Sequence, residues 1–559
     1  MRFLLTFLAT LLLGATFSPT AKSQTTDEDA RLTAISQQMR VFGSIYRELE
    51  LSYVDTLDAK KNIQKAIRSM LADVDPYTEY FAPNETGQLR QLTSGKYAGI
   101  GSLISYDRKE RRCIVSQPYA GLPAAEAGLW PGDVLLAQDG IDYGHPAEGR
   151  EQAYSDSVSG TLRGEPGTQT TLTVRRYGMT EPLNVTITRR AITLPAVAIS
   201  KMLTDSVGYI LLTTFSEQTF SETRAALLAL QRQGARGLII DLRGNGGGLI
   251  SQAVEVASLF LPKGSLVVKL KGRGGEEQND YLTQREPIDT ALPLAILVDA
   301  TSASAAELLA GTLQDYDRAV ILGQRTYGKG LVQSPRVLPE GGILKLTTAK
   351  YYIPSGRCVQ AYSFKNGLPQ HLPDSIAARF KTRGGRTVLD AGGITPDIIL
   401  QPDSLPTMLS YLDTSSELLN YCARYRQQHP TIAPADTFSL SDAEYADFVS
   451  FLRENKFTYA GSSKAALDLL RQAAKLEGYG DVASKELDAL EEKLVHNYDH
   501  DFAYWRDEVK DLVEARICSF YYYERGETES ALRHDRELLA AVALLSDGPR
   551  YATLLRPND

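Results

Sequence analysis

Ser304 and Lys329 stand 25 residues apart in the stretch TSASAAELLAGTLQDYDRAVILGQRTYGKGLVQ, the serine at the mouth of an apolar helical run and the lysine between two glycines. A serine hydroxyl attacks a carbonyl only when a neighbour takes its proton, and no imidazole base is at hand. The six histidines, His145, His371, His429, His496, His500 and His534, all fall outside this stretch. An amine can replace imidazole when it is neutral. At the ordinary lysine pKa about one side chain in a thousand is neutral at roughly pH 7.5, so burial must lower the pKa by about 3 units, at a cost of ~4 kcal/mol. Gly328 and Gly330 let the backbone bend to carry Lys329 inward. The pair points to a serine hydrolase whose base is a lysine. Each residue also has a plainer reading: Ser304 with Glu307 fits a capping box over the helix 305–313, and Lys329 fits a solvated turn. A helix-capping serine can still be a nucleophile, because the helix N-terminus offers free N–H groups to a developing oxyanion.

The elements that would position the pair carry a third signal. The segment GLIIDLRGNGGGLISQAVEVASLFL reads as a buried strand 237–242, a glycine-rich turn and an amphipathic helix. Four of the five residues 244–248 are glycine, yet the GxGxxG spacing fails at Leu249 and no Gly-Lys-Ser/Thr follows, which excludes a phosphate loop. A backbone without side chains can instead bring an N–H close to a substrate carbonyl. That is half of an oxyanion hole, with the Ala305 amide as the other half.

With these three boxes, TSASAAELLAG, GQRTYGKGLVQ and DLRGNGGG, the chain resembles the carboxyl-terminal processing peptidases, also called tail-specific proteases. KLTTAKYYIPSGRCVQ, GITPDI at 393–398, YVD at 53–55 and DPYTEYF at 75–81 add to the resemblance, which spans most of 35–400. It implies Ser304 as nucleophile, Lys329 as general base and Gln333 as the group orienting the amine, with Gly247 and Ala305 as oxyanion donors. The family usually has a proline where this chain has Gly246. The fold implied is an α/β catalytic core with crotonase/Clp-protease-like layers, an inserted PDZ-like β domain and helical N- and C-terminal regions.

Composition agrees with an exported enzyme. A chain of 559 residues with 43% hydrophobic content can build several cores, and a net charge of -8 without basic runs gives nucleic-acid binding no support. The start MRFLLTFLATLLLGATFSPTAKSQ has one early positive charge, an apolar run and small residues, the pattern of a signal peptide over 1–23 cleaved after Ser23. The expected location is across the inner membrane, in the periplasm. Cys113, Cys358, Cys422 and Cys518 match no metal spacing, and their pairing is open. His496 and His500 share a helical face but lack a third ligand, so neither metal nor cofactor is called for.

Residues 28–85 carry helical periodicity, with Ile45, Leu49 and Leu51, then Ile63, Ile67 and Leu71, as packing faces. Residues 86–190 change to short strands and turns in the order of a PDZ domain. There Tyr97, Gly99, Ile100 and Gly101 would present the amides that capture a peptide's terminal carboxylate, and Ser102–Ser105 would pair with the peptide as an added strand. A bracing module is the plainer alternative. Residues 191–400 alternate strands and helices as the peptidase core, interrupted by a surface insertion at 361–390. Residues 401–559 read as tyrosine-rich amphipathic helices that could dock on a second copy, recruit a partner or shield the site.

Two functions of different class follow. One is an endopeptidase that binds unstructured carboxyl termini and cuts near them, with protein or peptide partners and a homo-oligomer through terminal helices. The other is a non-catalytic PDZ-type peptide-binding protein. A small-molecule acyl hydrolase would share the oxyanion hole but gives no reason for a peptide groove.

Overall fold

The computed structural model describes residues 20–85, 96–339, 341–390, 392–401, 406–459, 461–494 and 497–557. Most of the expected signal segment, residues 1–19, lies outside them, as does His496. Among the described residues no helix is long and apolar enough to cross a membrane. The chain forms two compact units, one ending at Ala72 and one beginning at Asp73.

The first unit holds the helices Thr20–Ser52 and Ala59–Ala72. Ile63, Ile67 and Leu71 are the covered face of the second helix. The first helix does not pack as expected: Ile45, Leu49 and Leu51 are exposed. Leu32, Ile35, Met39, Phe42, Tyr46 and Leu49 recur along it at alternating steps of three and four, the spacing of a coiled-coil seam. All of these except the half-buried Tyr46 face solvent.

The second unit is built on a six-stranded sheet in the order Val197–Met202, Val207–Leu212, Gly237–Asp241, Leu294–Val298, Val320–Gly323, Ile398–Ile399. All pairs after the first are parallel. Parallel strands need cover on both faces, which is why LAILV and VILG are continuous apolar runs, GLIID is apolar up to its last residue, and every residue of the three is buried. The helices Thr219–Arg232, Ile250–Ala257 and Ala305–Asp315 close one face around Ile240, Leu294 and Ile296. The other face is covered by the end of the chain. Leu538, Ala541 and Leu544 of helix Arg536–Ser546 and Tyr551 of helix Gly548–Leu554 pack on Tyr209, Ile239, Ala295 and Leu297. The Tyr551 hydroxyl hydrogen-bonds both backbone groups of Leu294. The last helices are thus a layer of the core rather than a free docking surface.

A second, antiparallel sheet flanks the site, with Ile343–Tyr352 pairing to Glu79–Phe81, Leu266–Lys271 and Leu331–Val337. Residues 75–81, grouped with the N-terminal helices by periodicity, therefore belong to the core. The stretch 361–390 forms two hairpins, Tyr362–Lys365 with Leu368–His371 and Arg379–Lys381 with Thr387–Leu389. It is more than a surface insertion: Arg386 is buried and bridges Asp317 and Asp397 at 2.6 Å each.

Residues 102–188 make an antiparallel sheet in which Ser102–Asp107 is an edge strand, accompanied by helix Glu151–Leu162. The helices of 407–531 enclose a separate core with Tyr421, Phe448, Phe451 and Phe520 at its centre. Trp130 and Tyr177 of the antiparallel sheet region pack into that core. All four cysteines are free thiols.

Candidate active site

Three loops leave the carboxyl ends of neighbouring parallel strands: the glycine turn after Gly237–Asp241, the serine turn after Leu294–Val298 and the lysine loop after Val320–Gly323. That edge is where open α/β sheets place their sites. Ser304 precedes helix Ala305–Asp315 with φ +56°, a left-handed conformation that a serine holds only under surrounding constraint.

The constraint comes from Glu307. Its side chain is fully buried, and its two oxygens accept four hydrogen bonds. Oε2 takes the N–H of Ser304 and the N–H of Lys329, each at 2.8 Å. Oε1 takes the Thr326 hydroxyl at 2.6 Å and the Gly328 N–H at 2.7 Å. The Ser304 hydroxyl faces the Glu307 amide but makes no strict capping bond to it, so it is left for other work. Burial raises the Glu307 pKa, and the four donors oppose that shift without reversing it. A ring of four donors suits a carboxylate, since a protonated oxygen would set hydrogen against hydrogen.

A second clamp works from the other side. The buried Tyr351 hydroxyl donates to the Lys329 carbonyl at 2.6 Å and lies 3.1 Å from the Ser304 carbonyl. Tyr327 N–H is given to the Ser302 carbonyl, and Thr326 exchanges hydrogen bonds with Ile394 of the GITPDI segment. Gly328, at φ +86°, turns so tightly that an added Cβ would lie 2.3 Å from Ala361 Cβ.

Lys329 is largely buried, and desolvation, followed by the nearby Lys345 charge, lowers its pKa; Glu307, Glu79 and Asp75 oppose that shift. Its Nζ sits 4.4 Å from the centre of the Tyr77 ring. Gln333 does not meet the amine here: its Nε2 donates to Thr347 Oγ1 at 3.2 Å.

Gly247, at φ +96°, abuts the serine turn, since an added Cβ would lie 2.7 Å from Ser304 Cβ and 2.8 Å from the Ala305 nitrogen. Its own N–H is donated to Asn245 Oδ1 at 2.8 Å. Buried Asn245 also donates to the Leu212 carbonyl and accepts the Ala303 N–H on its own carbonyl. The Ala305 amide is the first of its helix and has no carbonyl in the preceding turn to bond.

Gly99, Ile100 and Gly101 head a groove of about 300 Å³ between the edge strand Ser102–Asp107 and helix Glu151–Leu162. The Ile100 side chain itself is buried in the sheet's core, so only its backbone can serve a ligand. Tyr97 backbone pairs with Ile192 outside this groove, and its side chain lies outside the described residues.

The chain is similar to known proteins along much of its length. Residues 206–371 match peptidase family S41, and residues 408–545 match the family described as probable PDZ-protease, C-terminal helical domain. The chain is 34% identical over 387 residues to the carboxy-terminal-processing protease of Bartonella bacilliformis, covering 68% of this chain and 85% of that protein. It is 38% identical over 295 residues to the carboxyl-terminal-processing protease of Synechocystis sp., covering 52% and 66% respectively. Among solved structures, the photosystem II D1 C-terminal processing protease shares 31% identity over 65% of this chain and 88% of that one, with a TM-score of 0.37.

Proposed function

The chain belongs to peptidase family S41 and is a serine-type peptidase acting on protein substrates, and from that premise we propose that Ser304 is its nucleophile and Lys329 its general base. The observation that carries this reading is the shared acceptor: one Glu307 oxygen holds the N–H groups of both residues. The Ser304 hydroxyl proton passes to neutral Lys329 as Oγ attacks the scissile carbonyl, the ammonium then protonates the departing amine, and water repeats the sequence on the acyl-enzyme. The oxyanion forms at the Ala305 amide. Gly247 lets the backbone close on it, and can add its own N–H only by leaving Asn245 Oδ1. Gln333, four residues along from Lys329, orients the amine when substrate is present.

The pH dependence tests the base. Only the neutral amine accepts a proton, so kcat/KM and the rate of fluorophosphonate labelling should both rise with pH through the lowered lysine pKa. A fall from pH 6 to 9 with the fold intact would remove Lys329 from the role. The same shift acts on stability. Burial disfavours the charged form, so its cost is full below the folded-state pKa and fades as pH climbs to the unfolded value near about 10.4.

The region 86–190 acts as a PDZ-like domain, supported by the edge strand and the groove headed by Gly99 and Gly101. A free terminal carboxylate forms charge-assisted bonds with backbone amides that a carboxamide cannot, each roughly twice as strong. A peptide with a free apolar carboxyl terminus should therefore be cut faster than its amide. Equal rates would mean that the groove reads something else. Binding without catalysis is the weaker reading, since the chain keeps both Ser304 and Lys329 in their boxes.

Residues 1–23 act as a signal for export to the periplasm, and the helix Thr20–Ser52 brings two copies together along the seam from Leu32 to Leu49. Met39→Glu with Phe42→Glu should turn a dimer into a monomer in sedimentation. An unchanged mass would exclude this seam.

A further inference from the structure

The base is covered by an aromatic ring that comes from outside its own loop. Lys329 Nζ lies 4.4 Å from the Tyr77 ring centre and forms no ion pair among the described residues. Two neighbours hold that ring. Phe364 meets it edge-on, with centroids 5.9 Å apart and planes at 89°, and the Tyr327 hydroxyl lies 3.4 Å from the Tyr77 hydroxyl. Phe364 sits on the hairpin Tyr362–Lys365 with Leu368–His371, and Tyr362 of the same hairpin meets the Tyr327 ring at 5.7 Å.

The hairpin is rooted in the lysine loop, where the Ala361 N–H bonds the Gly328 carbonyl at 2.9 Å and Gln360 Nε2 donates to the Tyr362 carbonyl at 2.8 Å. Its strands pair only with each other and are largely exposed. An isolated two-stranded hairpin is marginal in water, so beyond that root its aromatic contacts with Tyr77 and Tyr327 are what hold it against the lysine. We propose that this hairpin is a positioning element for the base, in which Phe364 holds the Tyr77 ring over Lys329 Nζ and the ring keeps water from that side of the amine.

The ring exerts two opposed effects. Its face attracts an ammonium, which favours the charged form, and it displaces water, which favours the neutral amine. Burial of the whole side chain is the largest influence on Lys329 and lowers its pKa, and the ring is part of that cover. The other charged groups that face the amine are Lys345, which supports the neutral form, and Glu307, Glu79 and Asp75, which oppose it. None of the three carboxylates is idle. Glu307 serves four donors, Glu79 pairs with Lys345 at 2.6 Å, and Asp75 accepts from the backbone of Tyr77 and Thr78.

The inference rests on Lys329 being the base, and its test keeps the two apart. The full chain is assayed by the pH dependence of fluorophosphonate labelling and of cleavage of an unstructured peptide with a free apolar carboxyl terminus. Phe364→Ala should move the rising limb of both profiles up by about one pH unit. The loss is then about tenfold along the rising limb and is recovered on the high-pH plateau, with KM unchanged. Tyr77→Leu should shift the limb the same way, and Tyr77→Phe, which keeps the ring, should leave it in place. If Phe364→Ala fails to fold by circular dichroism, Tyr77→Leu decides. A limb that stays put in both ring-removing variants, moves to lower pH, or is replaced by a loss equal at all pH overturns the proposal. Wild-type enzyme that fails to label, or labels without a rising limb, overturns the lysine-base reading instead.

Discussion

Ser304→Ala is expected to give a folded protein that cuts no peptide above background, a loss of about 10⁴-fold or more. The fold should survive because the structural duties of Ser304 belong to its backbone. Its N–H is held by Glu307 and its carbonyl accepts the Leu308 N–H at 2.8 Å, while the hydroxyl makes no strict bond. Alanine tolerates φ +56° about as poorly as serine, so the strain changes little. Lys329→Ala should be as silent, and the double variant no worse, because nucleophile and base act as a unit. Lys329→Arg should not restore activity, since a guanidinium stays protonated and cannot accept the serine proton. Peptide cleavage followed by mass spectrometry, with the thermal melt as control, checks all four. Cleavage by Ser304→Ala at the wild-type rate would falsify the assignment.

What could be read from the sequence was what is local. The strands GLIID and LAILV announce themselves as apolar runs, and the glycine turn and serine turn follow them directly, so the chemistry's edge of the sheet is written in order along the chain. Partners that meet through the backbone leave no such trace. Glu307 reads as half of a capping box, yet three of its four partners are N–H groups, two of them on a loop 21 and 22 residues away. The one available signal was a carboxylate in the apolar helix AAELLAGTL, where burial demands partners. Amphipathic helices likewise carry no address. Nothing in RELLAAVALLS says that it covers the second face of the catalytic sheet, although a parallel sheet required some such cover. Periodicity groups the segment 75–81 with the helices before it because three residues, Glu79–Phe81, are too short for a period of two to stand out. Tyr77 stands in DPYTEYF, and nothing local to that motif says that its ring meets Lys329.

Glu307 is where the two halves of the dyad are joined, and its replacement should separate stability from chemistry. Glu307→Ala strips the Ser304, Gly328 and Lys329 N–H groups and the Thr326 hydroxyl of their acceptor at a fully buried position. Each orphaned donor costs about 1–3 kcal/mol, so even with partial relaxation the variant should lose about 3 kcal/mol or more, together with all activity. Glu307→Gln keeps the shape but offers one acceptor oxygen where the carboxylate had two. If its amide nitrogen takes the Oε2 place, it opposes the N–H groups of Ser304 and Lys329; in the Oε1 place it opposes Gly328. The maximal rate should fall by about 10²-fold through misplacement of serine against lysine. The charge effect runs the opposite way. Glu307 is the largest of the groups holding the Lys329 pKa up, so removing its charge lowers that pKa further, and the rising limb of the pH profile should move to lower pH while its plateau drops. A lower plateau with the limb unmoved would mean that Glu307 reaches Ser304 and Lys329 only through their backbones. A Glu307→Gln enzyme as fast as wild type at every pH would mean that the four hydrogen bonds do not hold the dyad together at all.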